Sequence, residues 1–487
     1  MRNCFLIVLA ALFLSGNTLA GQPVSFDPEI RKFYFNLDTL GGNRLLMQRY
    51  PANDPEFIRI IGYRDFLHSF LYQSKINTDL YFRQSGKWLQ ILEKSRASNN
   101  SVPAAIAEIH LYRAVLAAQF SDYKASAVEL VASYKVVAKS GSDFNSPDRN
   151  KLSGILGVLF QQIPDQYGKY LRLLGVRSSG LSGYNGLERY YSAALPGTIE
   201  RMEGYLLMIT SLKEFSQDPA AAWNFVRAEG KPMLDNPLIR YQSALAALKA
   251  GDCESAVKLL DSRATGNVQP AFPYWTYQLG RSKLYQNDPT AAGYLEKFLE
   301  NPGGDNYRHT ALLMAGWFYL LHGQQDKANE YFLRIKILPE PFTPYDKQAL
   351  REVSNDNIPD PDLLKVRLLF DGGYYDQCLE KCERLILSGK FHDQEEGELL
   401  YRKARCEQRM GRLSPAITSF LRVIERAGGI RSYIVPNAAL QLGNLYKKTG
   451  QFDLARKYYN VCLDLNKYGY RDGINRQAQA ALRELGR

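Results

Sequence analysis

The sequence predicts an all-α chain, with antiparallel helix pairs stacked as an α-solenoid over its C-terminal half and an irregular helical N-terminal half. Three observations carry this. No alternating apolar/polar run of useful strand length occurs in the 487 residues, whereas apolar residues recur at helical spacing. One pattern, a small residue, a turn residue and a second small residue, returns six times between residues 237 and 469. Proline falls at the expected start of the first helix in four of those six copies, where its missing N–H costs nothing.

Composition narrows the class. Hydrophobic residues at 45% and charged residues at 23% exclude disorder as the dominant state. Residues 1–20 read as a signal peptide. Arg2 gives a positive start, Phe5 to Leu14 an apolar core, and Thr18-Leu19-Ala20 a small-residue cleavage site before Gly21. Cys4 precedes the apolar core, so it is not a lipoprotein cysteine at the cleavage site. No later segment approaches the ~20 apolar residues of a membrane span; the densest is Ile155 to Phe160. The expectation is an exported chain, periplasmic or associated with the cell envelope, and not an integral membrane protein. The formal charge of +11 becomes +10 once Arg2 is removed (11 − 1). That balance favours acidic partners or anionic surfaces, and export makes nucleic acid an unexpected partner.

Residues 21–230 form the irregular region. Ala104 to Phe120 and Ser126 to Val137 read as a degenerate helix pair, with Leu130, Tyr134 and Val137 on one stripe. Ser140 to Arg149 reads as a loop, and Leu152 to Phe160 as a buried helix broken near Pro164. Ser178 to Asn185 reads as a Gly/Ser loop, and Glu188 to Phe215 as a helix or helix pair.

Residues 231–487 carry the repeat. Leu442, Gly443, Tyr446, Gly450, Ala455, Tyr459 and Cys462 set its spacing. Gly316, Tyr319, Gly323, Ala328, Phe332 and Ile335 repeat it, as do Ala404, Gly411, Ala416, Phe420 and Val423. Val366, Leu369, Gly373, Cys378, Cys382 and Leu385 give a further copy. Weaker copies are Ala244, Gly251, Ala256 and Leu260, and Gly280, Asn287 and Ala292. This is the tetratricopeptide repeat (TPR) spacing. A small residue lets helix A approach helix B, an aromatic fills the gap beside it, and a Gly makes the turn. The helix-B anchors Ala256, Ala292, Ala328, Cys378, Ala416 and Ala455 are separated by 36, 36, 50, 38 and 39 residues. The 50 implies an insertion around Thr343 to Ile358. Nineteen residues before each anchor stand Pro237, Pro273, His309, Pro359, Gly397 and Pro436. The repeats are expected near 237–270, 273–306, 309–342, 359–392, 397–430 and 436–469, with a capping helix at 473–485.

The same grid accounts for the cysteines. After Cys4 five remain, an odd number that does not resemble a disulfide framework in an exported chain. Cys378 takes the small helix-B position, Cys382 the bulky one a turn later, and Cys406 and Cys462 take packing positions. Cys378 and Cys382 have a spacing found in some metal sites. His392 is the nearest His in sequence and no fourth ligand is evident, so no metal and no cofactor is expected.

Two segments resemble a narrower group. Gly157 to Phe160, Ile163-Pro164, Tyr170 to Val176 and Gly186-Leu187 resemble the inclusion-body clearance / tetratricopeptide repeat protein 39 family, as does Tyr433 to Leu482. The shared features are an apolar helix, a Leu-Pro break, a helix ending at Gly, and a Gly-Leu start. Val176 stands where that family prefers Phe, and the export signal is a further departure. The resemblance implies a TPR fold over most of residues 100–487 and little about chemistry.

No catalytic constellation is legible. The five His residues, His68, His110, His309, His322 and His392, form no HExxH, HxxxH or HxH pairing. Nucleophile-elbow and phosphate-loop motifs are lacking. His392, Asp393, Glu395, Glu396 and Glu398 are read as acidic residues ahead of a helix A, complementing its positive N-terminus.

The expected function is therefore binding without catalysis. The helix-A position that lines the concave face of stacked TPR units reads Arg281, Trp317, Arg367, Arg405 and Asn444. Its neighbours are Tyr277, Tyr285, Tyr401, Gln408, Arg409, Lys447 and Lys448. A basic, aromatic groove suits a protein or acidic peptide partner held by charge-assisted hydrogen bonds. The alternative is a glycan- or nutrient-binding helical protein of the outer-membrane uptake type, which is usually a lipoprotein; the chain has no lipobox. An enzyme with an unrecognised site is the third class.

Overall fold

The structure is a computed structural model that describes residues 27–95, 102–139, 146–161, 168–177, 181–216, 218–261, 272–355, 358–427, 433–465 and 471–486. The expected signal peptide, residues 1–20, and the break at Pro164 lie outside them. Among the described residues every regular element is helical. The fold is all-α, a TPR-type α-solenoid of antiparallel helix pairs.

The N-terminal half supplies α1 (Pro28–Phe35), α2 (Thr39–Arg49), α3 (Pro55–Tyr72), α4 (Lys75–Ser95), α5 (Val102–Gln119) and α6 (Tyr123–Lys139). It continues with α7 (Ser146–Gln161), α8 (Gly168–Leu173), α9 (Gly183–Ala193), α10 (Ile199–Phe215) and α11 (Ala221–Glu229). Asp27 and Asp54 cap α1 and α3 ahead of Pro28 and Pro55. The expected pair is α5 on α6, tied by Ser133 Oγ donating to the Ala107 carbonyl at 2.8 Å. Glu188 to Phe215 is indeed a pair, α9 against α10.

Two expected loops are shorter than the composition implied. Ser140 to Arg149 is expected as loop, but α7 starts at Ser146. Pro147 stands in its first turn, and buried Asp148 is held by Arg59, Oδ1 to Nη2 3.1 Å. Residues 140–145 lie outside the described ones. The Gly/Ser loop expected to reach Asn185 ends at Ser182, and α9 begins at Gly183. A Cβ on Gly157 would sit 2.5 Å from the Gly183 nitrogen. Gly157 thus belongs to a close α7–α9 approach, and Gly183 is drawn into the helix start.

The repeats are α12 (Pro237–Ala250) with α13 (Cys253–Leu260), α14 (Pro273–Tyr285) with α15 (Ala291–Glu300), and α16 (Arg308–Leu321) with α17 (Gln325–Lys336). After α18 (Pro344–Ser354) come α19 (Pro361–Gly372) with α20 (Tyr375–Ser388), α21 (Asp393–Arg409) with α22 (Leu413–Ala427), and α23 (Ile434–Lys448) with α24 (Phe452–Leu465). The last helix is α25 (Arg471–Leu485). The insertion at Thr343 is α18 itself, capped by Thr343 with Pro344 in its first turn.

The turn between helices A and B is left-handed in all six copies: Gly251, Asn287, Gly323, Gly373, Gly411 and Gly450 have φ of 88°, 55°, 70°, 83°, 75° and 75°. Glycine adopts that region without strain, and Asn is the next most tolerant residue. Helix starts follow the proline count less strictly. Pro237 and Pro273 open α12 and α14, while α19 opens at Pro361 because the Asp360 side chain caps it. The acidic run at 393–398 does not precede α21 as expected. It is the start of that helix, with Asp393, Glu395 and Glu396 in the first turn.

The chain divides into two compact units, Met1–Phe318 with Gln325–Asn357, and Tyr319–Gln324 with Ile358–Arg487. In the first, two buried ionic networks cross between helices. Arg31 of α1 meets Glu200 and Glu203 of α10 at 3.0 and 2.5 Å. Arg59 of α3 meets Glu108 of α5 and Asp148 of α7 at 2.7 and 3.1 Å, and Lys151 meets Glu108 at 2.6 Å. The second unit has an apolar core. Gly443 faces the Tyr459 ring, and Ala404, Ala438 and Ala455 let neighbouring helices close on Phe420 and Leu442.

Candidate functional site

In the first unit, Tyr277, Arg281 and Tyr285 are spaced four apart on α14 and share one helix face. Tyr277 is buried. Its ring stacks on Tyr307 at 5.2 Å between centroids, and Tyr307 lies 6.1 Å from Tyr345 of α18. The Arg281 guanidinium sits 5.8 Å above the Tyr285 ring and shares a hydrogen bond with the Tyr277 hydroxyl. Arg281 Nε is buried and has no hydrogen-bond partner. Among the described residues no carboxylate pairs with Arg281; the groups around it are the tyrosines Tyr285, Tyr277, Tyr345 and Tyr241. Burial pushes the Tyr277 and Tyr307 hydroxyls far above the usual phenol range, so both are neutral at physiological pH. Trp317 of α16 is buried, 3% exposed, within the fold.

In the second unit Arg405 repeats the motif. Its Nη1 donates to the hydroxyl of Tyr401, four residues earlier, at 3.0 Å. Its guanidinium lies 5.5 Å from the Phe370 ring, its Nε is buried without a partner, and no described carboxylate pairs with it. Arg367 is half-buried on α19. The remaining expected residues are engaged within the chain. Gln408 Nε2 donates to Gln441 at 3.0 Å, and Arg409 Nε to the Tyr375 hydroxyl at 2.9 Å. Lys447 pairs with Glu484, and Asn444 Oδ1 accepts from the Tyr459 hydroxyl at 2.9 Å. Lys448 is exposed.

Three further groupings left no pattern in the sequence. Tyr307 and Tyr345 lie outside the helix-A face, one in a loop and one on the inserted helix, yet they complete the tyrosine wall around Arg281. Cys406 of α21 reaches the Cys378–Cys382 pair of α20, so three fully buried thiols meet. Their hydrogen bonds to Cys378, together with burial, push the Cys382 and Cys406 thiols up. Among the described residues no group of three or more His, Cys, Asp or Glu is arranged to hold a metal ion. The third grouping is a cavity of about 640 Å³ in the first unit. It is lined by Met202, Met233 and Trp275, with Lys32, Arg201 and Glu229 among its polar walls. No helix among the described residues is long and apolar enough to cross a membrane.

Residues 436–468, the segment of α23 and α24, match the family described as Tetratricopeptide repeat. No curated protein matches the chain. It is similar in fold to a monomeric mutant of IFIT1 with m7Gppp-AAAA, at 13% identity, 78% coverage of this chain, 77% of that chain and a TM-score of 0.27. It is also similar to the APC/C hetero-tetramer Cut9-Hcn1, at 12% identity, 92% and 94% coverage and a TM-score of 0.25. No enzyme family is indicated.

Proposed function

We propose that this chain is an exported, non-enzymatic scaffold that binds an acidic protein or peptide partner through the helix-A face of its repeats. One observation supports it above the others. At the same repeat position, Arg281 and Arg405 each present a guanidinium that is held by a tyrosine four residues earlier and meets no described carboxylate. A half-buried cation costs free energy unless an anion compensates it. The fully buried Arg31 and Arg59, by contrast, are compensated by buried carboxylates. Arg281 and Arg405 leave that compensation to a partner. Generally, TPR units act by binding other proteins, which agrees with this reading. The resemblance to the inclusion-body clearance family rests on packing motifs and adds no ligand.

The test is a pull-down or proximity-labelling experiment on the protein in its native envelope, read by mass spectrometry. The comparison variant carries Arg281→Glu, Arg367→Glu and Arg405→Glu, with its helicity and melting checked first. A partner lost from the variant supports the scaffold and its face. A partner retained by the variant removes these arginines from the interface. With no protein partner in either, the glycan-binding alternative is taken up with a carbohydrate array.

A further inference from the structure

Away from the repeats, the first unit carries a basic and apolar surface that the scaffold reading does not use. Helix α8 ends in a closed turn. The Val176 N–H donates to the Leu171 carbonyl at 2.9 Å, the Gly175 N–H to the Arg172 carbonyl at 3.0 Å, and Gly175 has φ of 84°. This is a Schellman ending, whose apolar positions are the residue after the glycine and one in the last helical turn. Val176 and Leu171 take those positions, buried and half-buried. Leu173 and Leu174 are left outside, 83% and 50% exposed. Neither the cap nor the core needs them. Among the described residues they are the one pair of exposed large apolar side chains adjacent in sequence. The turn is fixed to the body of the unit. The Arg177 N–H donates to the Tyr134 hydroxyl of α6 at 2.8 Å, and the Tyr134 ring meets Phe160 of α7 edge-on at 5.8 Å between centroids.

The charge around these leucines has one sign. Arg172 and Arg177 flank them and are exposed; Lys135 and Lys139, also exposed and one turn apart on α6, follow Tyr134. No described carboxylate pairs with any of the four, and residues 130–139 and 171–177 contain no Asp or Glu. We infer that this face of the first unit rests on an anionic phospholipid bilayer, with Leu173 and Leu174 in the interfacial layer and the four cations among the headgroups. A bilayer supplies both complements at once, an apolar interior directly beneath a layer of negative charge. A protein partner would have to present an apolar patch ringed by carboxylates. Two weak signals together hold a protein at a membrane that neither would hold alone. A Lys or Arg near an anionic surface contributes about fivefold in partitioning, and a leucine removed from water about tenfold. Such docking needs no spanning helix, and none occurs among the described residues. Residues 135–177 lie outside the six repeats, so this surface adds a docking place for the scaffold and no ligand for its helix-A face.

Vesicle flotation tests this with the chain from Gly21 onward, so that the apolar stretch Phe5 to Leu14 cannot bind lipid in place of the turn. The probes are phosphatidylcholine vesicles with and without about a quarter of phosphatidylglycerol. Flotation with the anionic vesicles, little with the neutral ones, and release by ~0.5 M salt is the expected result. Changing Leu173→Gln and Leu174→Gln together should cut partitioning by about ten- to a hundredfold. Changing Lys135→Gln, Lys139→Gln, Arg172→Gln and Arg177→Gln together should cut it by about several hundredfold. All six side chains are exposed, so both variants keep the wild-type melting temperature. Leu333→Gln alters another exposed leucine, on α17, and floats as the wild type does. No flotation of the wild type, equal flotation with neutral vesicles, undiminished flotation of either folded variant, or an equal loss in the Leu333 control would each overturn the assignment. So would a leucine variant that loses a protein partner in the pull-down while the wild type ignores vesicles, because the face would then contact protein. The scaffold reading is decided separately, by the variant at Arg281, Arg367 and Arg405, none of which belongs to this face.

Discussion

Replacing Gly443 by Ala tests a close helix–helix contact in the repeat array. Gly443 sits inside α23, where Ala is favoured over Gly by about 1 kcal/mol. Considered alone, α23 should be stabilised. Its partner decides otherwise. A Cβ at 443 would lie 2.4 and 2.5 Å from Cε1 and Cδ1 of Tyr459, against ordinary contacts of 3.4 Å and more. The ring must therefore move by about 1 Å. It has little room, because Tyr459 is fully buried in the α23–α24 core and its hydroxyl donates to Asn444. Overpacking costs about 1–3 kcal/mol, and weakening that hydrogen bond about 1 kcal/mol. Set against the propensity gain, the expected net loss is about 1–3 kcal/mol. Urea unfolding followed by far-UV circular dichroism measures it. Gly473→Ala, in α25 with nothing within 4 Å of the new Cβ, is the control and should be neutral or stabilising. In a Tyr459→Leu background the penalty should shrink, so that the double mutant is less destabilised than the sum of the two single changes. A Gly443→Ala protein as stable as the wild type, or more so, would refute the packing argument. It would mean that the small residue is there for some reason other than the approach of the two helices.

Three further outcomes are expected. Burial holds the Glu56 carboxyl up at about 8 against 4.5 unfolded, even with Arg59 nearby and the Asp27 N–H donating to it. The folded state therefore keeps a proton that the unfolded state releases. Glu56 contributes fully below about pH 4.5, and the contribution is lost as pH rises towards 8, by up to about 1.4 kcal/mol per pH unit. Glu56→Gln should remove that slope in a stability-versus-pH series and be more stable than the wild type at pH 8. Burial alone would raise Glu108, but Arg59 and Lys151 hold it down at about 2. Its contribution is lost as pH falls from 4.5 through 2, and Glu108→Gln, which takes the carboxylate from buried Lys151 and leaves Arg59 only Asp148, should cost about 3–5 kcal/mol in chemical denaturation. Cys253, Cys378, Cys382, Cys406 and Cys462 are free and buried. A thiol-reactive dye should leave all five unmodified in the native protein and modify all five in denaturant; fast labelling of the native form would contradict their burial.

What could be read in the sequence follows from which forces are local. The Gly turn five residues before each helix-B anchor depends on one backbone angle, so it survives in every copy, including the Asn at 287. The pairing of Gly316 with Phe332 and of Gly443 with Tyr459 spans sixteen residues inside one hairpin, and periodicity reports it faithfully. Starts of helices were less legible, because a capping side chain such as Asp360 shifts the start without changing the apolar stripe. The loops at 140–149 and 178–185 were overestimated for a related reason: Ser, Asp and Gly suit loops and helix starts alike.

The charges were the least legible, and they separate into two populations for one physical reason. Arg31 and Arg59 lie 169 and 49 residues from the first carboxylate each one meets, so neither pairing leaves a local pattern. Both are buried where water cannot solvate them, and the fold brings two carboxylates to each. Arg281 and Arg405 do have a local pattern, a tyrosine one turn earlier, yet the fold brings them no described carboxylate. A tyrosine cannot neutralise a guanidinium; its hydroxyl only orients it. Chains under selection for stability alone have no use for orienting a partly desolvated cation towards an absent anion. The contrast between arginines paired inside the fold and arginines merely aimed by it is what supports the proposal that the helix-A face completes its electrostatics with a partner.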